Sequence, residues 1–110
     1  MMFCLTGHYT PAAFKAMGEN PNSNRREAAE KLLTAAGGKM VSFYGTVAGG
    51  PGVLVIFEAD AVSAPAIVAT AYASGAFSNV DLQRLLTPDE MAAIRAKRQQ
   101  IQGSYTPPGH

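Results

Sequence analysis

The chain has no tryptophan and a single cysteine, Cys4, among its 110 residues. One cysteine cannot close an internal disulfide, and its neighbours form no metal knuckle. The disulfide framework of a small secreted scaffold is excluded, and a cytoplasmic location is expected. Histidine is nearly as scarce, with only His8 and the terminal His110. Without a His-Glu-x-x-His or a paired Cys-x-x-Cys, neither a zinc site nor another bound cofactor is expected. An excess of charge is missing too: nine Lys+Arg face eight Asp+Glu. That balance gives no general attraction to nucleic acid or to an anionic membrane. The small basic clusters Arg25-Arg26 and Arg95-Lys97-Arg98 read as solvated helix faces. The longest apolar runs, Val53 to Phe57 among them, are strand length, far short of the ~18–20 residues that cross a bilayer. Met1 to Leu5 lacks the basic start and long apolar stretch of a signal peptide. No Gly-x-Ser-x-Gly elbow is present, and the glycines from Gly45 to Gly52 precede neither a Lys-Ser/Thr pair nor a helix, so they form no phosphate loop.

What remains is an apolar-rich chain, 47% hydrophobic, of a length suited to one domain with one core. Phe3 to Tyr9 reads as a first strand. Thr10-Pro11 supplies a cap and a first-turn proline for a short helix through Phe14 and Met17 that stops at Gly18. After a turn at residues 19–23, Ser23 or Asn24 caps a helix over Arg25 to Ala36. Its Ala28, Ala29, Leu32, Leu33 and Ala36 share one face, with a Glu27–Lys31 pair outside. Gly37-Gly38 ends it. Lys39 to Val47 and Val53 to Ala59 read as two strands of a hairpin closed by Gly49-Gly50-Pro51-Gly52. A helix from Val62 to Ser74 carries Ala64, Ile67, Val68, Ala71 and Tyr72 as its apolar stripe, and Phe77 to Leu86 is the last strand, with Leu82 toward the core. Thr87 and Glu90 stand at capping-box spacing before a final helix bearing Met91, Ile94 and Ile101 on one side. Residues 103–110 hold two prolines and two glycines and read as a flexible tail beyond a domain of residues 1–102.

The order β-α-β-β-α-β predicts an α+β, ferredoxin-like domain: a four-stranded antiparallel sheet with both long helices on one face. Its other face is then bare, with only the last helix left to cover it. Such a face is expected to carry polar residues or to pair with a second copy.

These elements carry a family resemblance. It lies in Ala35-Ala36-Gly37-Gly38-Lys39, Phe43-Tyr44-Gly45-Thr46, Val55-Ile56-Phe57-Glu58-Ala59, Ser78-Asn79-Val80 and Thr87-Pro88-Asp89-Glu90-Met91. In that order and spacing the chain resembles the GYD domain family, within the wider set of dimeric α/β-barrel proteins. The eponymous Gly-Tyr-Asp after the second strand is absent, and a glycine-rich loop about one residue longer replaces it. The resemblance implies the ferredoxin-like fold and dimerisation, and it implies no settled activity.

Strand alternation selects the candidate site. Thr6 and His8 share one face of the first strand with Cys4, and Ser42, Tyr44 and Thr46 share one face of the second. Glu58 is in phase with Leu54 and Ile56, and Asp81 with Gln83. One consistent assembly brings Thr6, His8, Ser42 and Tyr44 to the uncovered face as ligand-binding residues, with Glu58 or Asp81 beside them. In a catalytic version His8 is the acid or base, Tyr44 a hydrogen-bond donor to a substrate carbonyl, and Glu58 or Asp81 the carboxylate that orients the ring. Each also has a plain reading: a strand-end histidine bonded to backbone or water, a packed tyrosine, an exposed glutamate, a buried structural cysteine.

The leading expectation is a homodimer or higher homo-oligomer acting as a binding or accessory protein, with a small-molecule pocket at the uncovered sheet face. The alternative is a cofactor-independent enzyme, monooxygenase- or isomerase-like, using His8. A third reading is an assembly subunit that recognises a protein through the last helix and tail.

Overall fold

The computed structural model describes residues 1–109; His110 lies outside the described residues. The elements run β1 (Met2–Tyr9), α1 (Pro11–Glu19), α2 (Arg25–Ala35), β2 (Lys39–Thr46), β3 (Gly52–Glu58), α3 (Ser63–Ala73), β4 (Phe77–Leu85) and α4 (Pro88–Ile101). The strands form one antiparallel sheet in the order β2-β3-β1-β4. This is the expected ferredoxin-like topology.

Local chemistry accounts for the helix ends. Thr10 accepts from the Ala13 N–H ahead of Pro11, and Asn24, rather than Ser23, accepts from the Glu27 N–H. Helix α2 closes with Gly37 at φ 78°, while the Gly38 N–H reaches the Leu33 carbonyl at 2.8 Å and the Gly37 N–H reaches Thr34 at 3.0 Å. That pair of bonds is a Schellman cap, which needs a residue tolerant of positive φ. Helix α3 has no cap from its own Val62; the Asp60 carboxylate accepts the Val62 and Ser63 N–H groups at 3.0 and 2.7 Å instead. Those bonds, the one from Ser63 foremost, hold the Asp60 carboxyl below the usual range. The capping box of Thr87 and Glu90 forms in both directions.

The core lies between the sheet and helices α2 and α3. Phe3 and Leu5 of β1 and Val53, Val55 and Phe57 of β3 point there, meeting Leu33, Ala64 and Ile67. Phe57 is fully buried and stacks on Phe3, centroids 5.7 Å apart. Between the two central strands, Gly52 lies so close to β1 that a Cβ there would collide with the Gly7 carbonyl oxygen, a position only glycine fills.

Several expectations are corrected. Strand alternation sets Val41 in phase with Phe43, but the β2–β3 register shifts between Met40 and Ser42, and Val41 is exposed at the bulge. Tyr72 is exposed, since α3 packs inward through Ala64, Ile67 and Val68, with Ala71 lining the space beside them. The ion pair on α2 is Arg26–Glu30 at 3.1 Å in place of Glu27–Lys31. Helix α4 covers neither face of the sheet. Every residue from Met91 to Ile101 is exposed. The radius of gyration is 17.8 Å and the long axis 58 Å, against about 13 Å for the radius of a compact domain of this size. Beyond the Arg84–Glu90 ion pair at its start, helix α4 is an arm whose residues face solvent.

Candidate functional site

The bare face of the sheet carries the sequence-selected residues in ordered rows. Pairing places Thr46, Gly52, His8 and Asn79 in one row and Tyr44, Leu54, Thr6 and Asp81 in the next. Ser42, Ile56, Cys4 and Gln83 follow, and Lys39, Glu58, Met2 and Leu85 form the last row. Thr6, His8, Ser42 and Tyr44 do share this face, and Asp81 joins them. Glu58 shares the face but not the neighbourhood. Antiparallel pairing sets Glu58 opposite Met2, six residues and therefore about 20 Å along β1 from His8. Tyr44 and Asp81 are three strands apart, about 14 Å.

His8 is held at both ring nitrogens. Nδ1 lies 3.0 Å from Asn79 Oδ1 and Nε2 lies 2.8 Å from the Ala48 carbonyl oxygen. Asn79 Nδ2 in turn donates to Asp81 Oδ2 at 3.4 Å, which turns the amide oxygen toward the ring. Two oxygen acceptors suit an imidazolium, whose two N–H groups both donate, better than a neutral ring with only one. The Ala48 bond, then the Asn79 bond and the nearby Asp81 charge, accordingly raise the His8 pKa above its ordinary value. The carboxylate expected to orient the ring thus acts through Asn79, and the ring itself ties the glycine-rich hairpin to the sheet. Gly49, at φ +74°, would bring a Cβ within 3.1 Å of Nε2, so that loop sits directly on the histidine. Burial raises the Cys4 thiol's pKa, which keeps it in the unreactive protonated form. Among the described residues, no three His, Cys, Asp or Glu side chains gather as a metal site requires.

On the helix side of the sheet lies a cavity of about 200 Å³. Its floor is Leu5, Phe43, Val53, Val55 and Phe57, and its walls are α2 and α3. It exists because both helices turn short side chains inward: Ala28 and Ala29 from α2, Ala71 from α3 and Ala76 beyond it. Methyl groups at these positions do not reach across the gap that leucines would fill.

The mouth of this cavity is polar. Tyr9 stacks on Phe77 at 5.1 Å, and Arg25 begins α2 beside it. Burial pushes the Tyr9 phenol up in pKa, and the adjacent Arg25 guanidinium draws it partly back. A second, outer hollow of about 280 Å³ under α1 shares Tyr9, Arg25 and Ala76 with the first. The two polar side chains therefore stand at a neck between an apolar interior and a more open vestibule. Sequence reasoning missed both residues. Alternation sets Tyr9 in phase with Phe3 and Leu5, opposite His8, and nothing in the pattern gives it a role, while Arg25 reads as part of a solvated cluster. The available signal was Arg25 itself, a cation in the first turn of a helix, where the macrodipole disfavours positive charge.

Comparison with known proteins agrees with this architecture. The GYD domain model matches residues 3–94, and the chain belongs to that family. A search of curated proteins finds no match. Among solved structures, the fold is similar to 5-chloro-2-hydroxyhydroquinone dehydrochlorinase from Burkholderia phenoliruptrix AC1100, in complex with 2,5-dihydroxybenzoquinone. The TM-score is 0.56 at 18% sequence identity, over 81% of this chain and 97% of the other.

Proposed function

We propose that this GYD-domain chain is a homodimeric binding protein for a small, ring-sized organic molecule. The cavity between the sheet and helices α2 and α3 holds the ligand, and the bare sheet faces meet across the dimer. The observation that carries this reading is the cavity itself: about 200 Å³, floored by apolar side chains and opening through a polar neck. An apolar cavity of roughly 150 Å³ is already large enough to take benzene, and binding sites are characteristically apolar with a few convergent polar groups. The dehydrochlorinase, whose fold is similar, is in complex with a small oxygenated ring compound, which is in keeping with a ligand of this size.

Dimerisation is supported by what the single chain leaves unpacked. The open face presents Met2, Cys4, Leu54, Ile56 and Leu85, half-buried by their neighbours, and α4 exposes Met91, Ile94 and Ile101. A second copy offers the same surfaces for a symmetric contact. The enzymatic alternative through His8 is less well supported. A general base needs a free lone pair facing substrate, and both ring nitrogens of His8 are directed at protein oxygens. Similarity of fold to an enzyme does not itself transfer activity.

Two measurements test the reading. Native mass spectrometry should give twice the 11.5 kDa chain mass. Toluene titrated into ¹⁵N-labelled protein should shift the amides of Ala29, Leu33 and Ala71 while leaving those of Ser42 and Gln83 in place. A monomer refutes the dimer. Shifts confined to the sheet's open face move the pocket there, and no shifts at all remove it.

A further inference from the structure

We propose that the ligand of this cavity is an anion: a ring-sized carboxylate or phenolate whose charged group meets Arg25 at the neck while its ring enters the apolar interior. The inference rests on the cavity reading above and adds the chemical class of the ligand. Three observations converge on it. Arg25 Nε is buried and has no hydrogen-bond partner, and a buried donor left unmade costs free energy unless something accepts from it. The guanidinium also lacks a counter-ion. Among the described residues the ion pairs are Lys15–Glu19, Arg26–Glu30 and Arg84–Glu90, and no Asp or Glu lines either hollow. Finally, Arg25 occupies the first turn of α2, where the helix's own positive end opposes a cation. Its neighbour Arg26 is relieved by Glu30, and Arg25 is not. A first-turn cation with a buried N–H that no group of the chain accepts from, standing beside an apolar cavity, suits a site for an anion.

The remaining polar groups fit the same assignment. The Thr70 and Ser74 hydroxyls of the cavity wall spend their protons on the Ala66 and Ala71 carbonyls at 2.8 and 2.6 Å. Among the side chains that line the inner cavity, the donors left for a ligand are the guanidinium and the Tyr9 hydroxyl, which lie together at the neck. Guanidinium matches a carboxylate through two parallel N–H···O bonds, and such charge-assisted bonds are about twice as strong as neutral ones.

The test compares three probes of one ring size: benzoate, neutral benzamide and toluene, each titrated into the full-length protein by NMR. Benzoate should bind about tenfold more tightly than benzamide. Arg25→Gln should abolish that preference while leaving toluene affinity unchanged, and Arg25→Lys should keep part of it. Toluene and benzamide binding with no benzoate preference overturns the anion and leaves the cavity reading standing. Failure of all three probes with wild-type protein overturns both. Retained toluene binding by Arg25→Gln certifies that the variant is folded; if it is lost, Arg25→Lys and Tyr9→Phe carry the comparison, and an unaltered benzoate preference in both refutes the assignment.

Discussion

Filling the cavity should stabilise the protein and close the site together. Ala71 of α3 lines the cavity. Ala71→Leu adds three carbon groups, and at about 0.8 kcal/mol per buried methylene the gross gain is about 2.4 kcal/mol. Ordering the new side chain returns about 0.5–1 kcal/mol, and leucine matches alanine closely in helix propensity. The net expectation is about 1.5 kcal/mol of added stability, or a rise in melting temperature of roughly 6 °C or more. Urea unfolding at one fixed protein concentration measures it, with an unchanged m-value showing that the unfolding reaction is the same. Ala69→Leu, at an exposed position of the same helix, is the control and should change stability by no more than about 0.5 kcal/mol. Toluene binding should vanish in Ala71→Leu and persist in Ala69→Leu. A destabilisation of about 1 kcal/mol or more by Ala71→Leu would mean that the site is already filled at normal density, and the reasoning behind the cavity would fail.

The other predictions concern the sheet and the helix ends. NMR titration of His8 should give a pKa above 6.5. Because the folded value is raised, the stabilisation is complete below about pH 6.5 and is lost as pH rises through the folded pKa. Amide exchange at Gly49 and Gly50 should speed up beyond the change in intrinsic rate over that window; a His8 pKa at or below 6.5 refutes the two-acceptor geometry. Gly52→Ala should cost about 1–3 kcal/mol in urea unfolding, since its Cβ would collide with the Gly7 carbonyl oxygen; a neutral result would show that the two central strands separate easily. Phe57→Ala, at the fully buried centre of the core, should cost about 3–5 kcal/mol. Thr87→Ala removes the cap of an unpacked helix and should lower helical circular dichroism while leaving the domain's unfolding midpoint in place; a shifted midpoint would mean that α4 is part of the cooperative unit.

Face and topology were legible in the sequence because a strand's period of two is written directly in residue types. Phe3, Leu5, Val53, Val55 and Phe57 alternate with Cys4, Thr6, Leu54 and Ile56, and the structure keeps both sets on their expected faces. Caps were legible for the same local reason: Thr10, Thr87 and Glu90 act within three residues of where they stand. The bulge at Val41 was not, because a register shift depends on which partner residue is met across the strand. Position along the strand was equally hidden by face parity alone. Glu58 has the correct phase for the His8 face, yet antiparallel pairing brings Gly52 to His8 and sends Glu58 to the far end.

The candidate sites divide along the same line between local and long-range information. His8 was identifiable as an unusual residue on a bare face. Its role depends on Ala48, which is 40 residues away, and Asn79, which is 71 residues away, and loop closure over such distances leaves no local pattern. The cavity was hidden for a different reason. Alanines at inward helix positions look like a well-made apolar face, and only the spacing of α2 and α3 across the sheet shows that they fail to fill it. Arg25 is the exception, because its conflict with the helix dipole can be read from the sequence once Asn24 is known to be the cap. A charge set against its own helix, next to inward alanines, is a signature that composition averages away, since Arg25 and Arg26 contribute equally to a balanced net charge. Glu30 answers one of them, and the other faces the neck of the cavity, which is why the anion is sought there and not on the bare sheet.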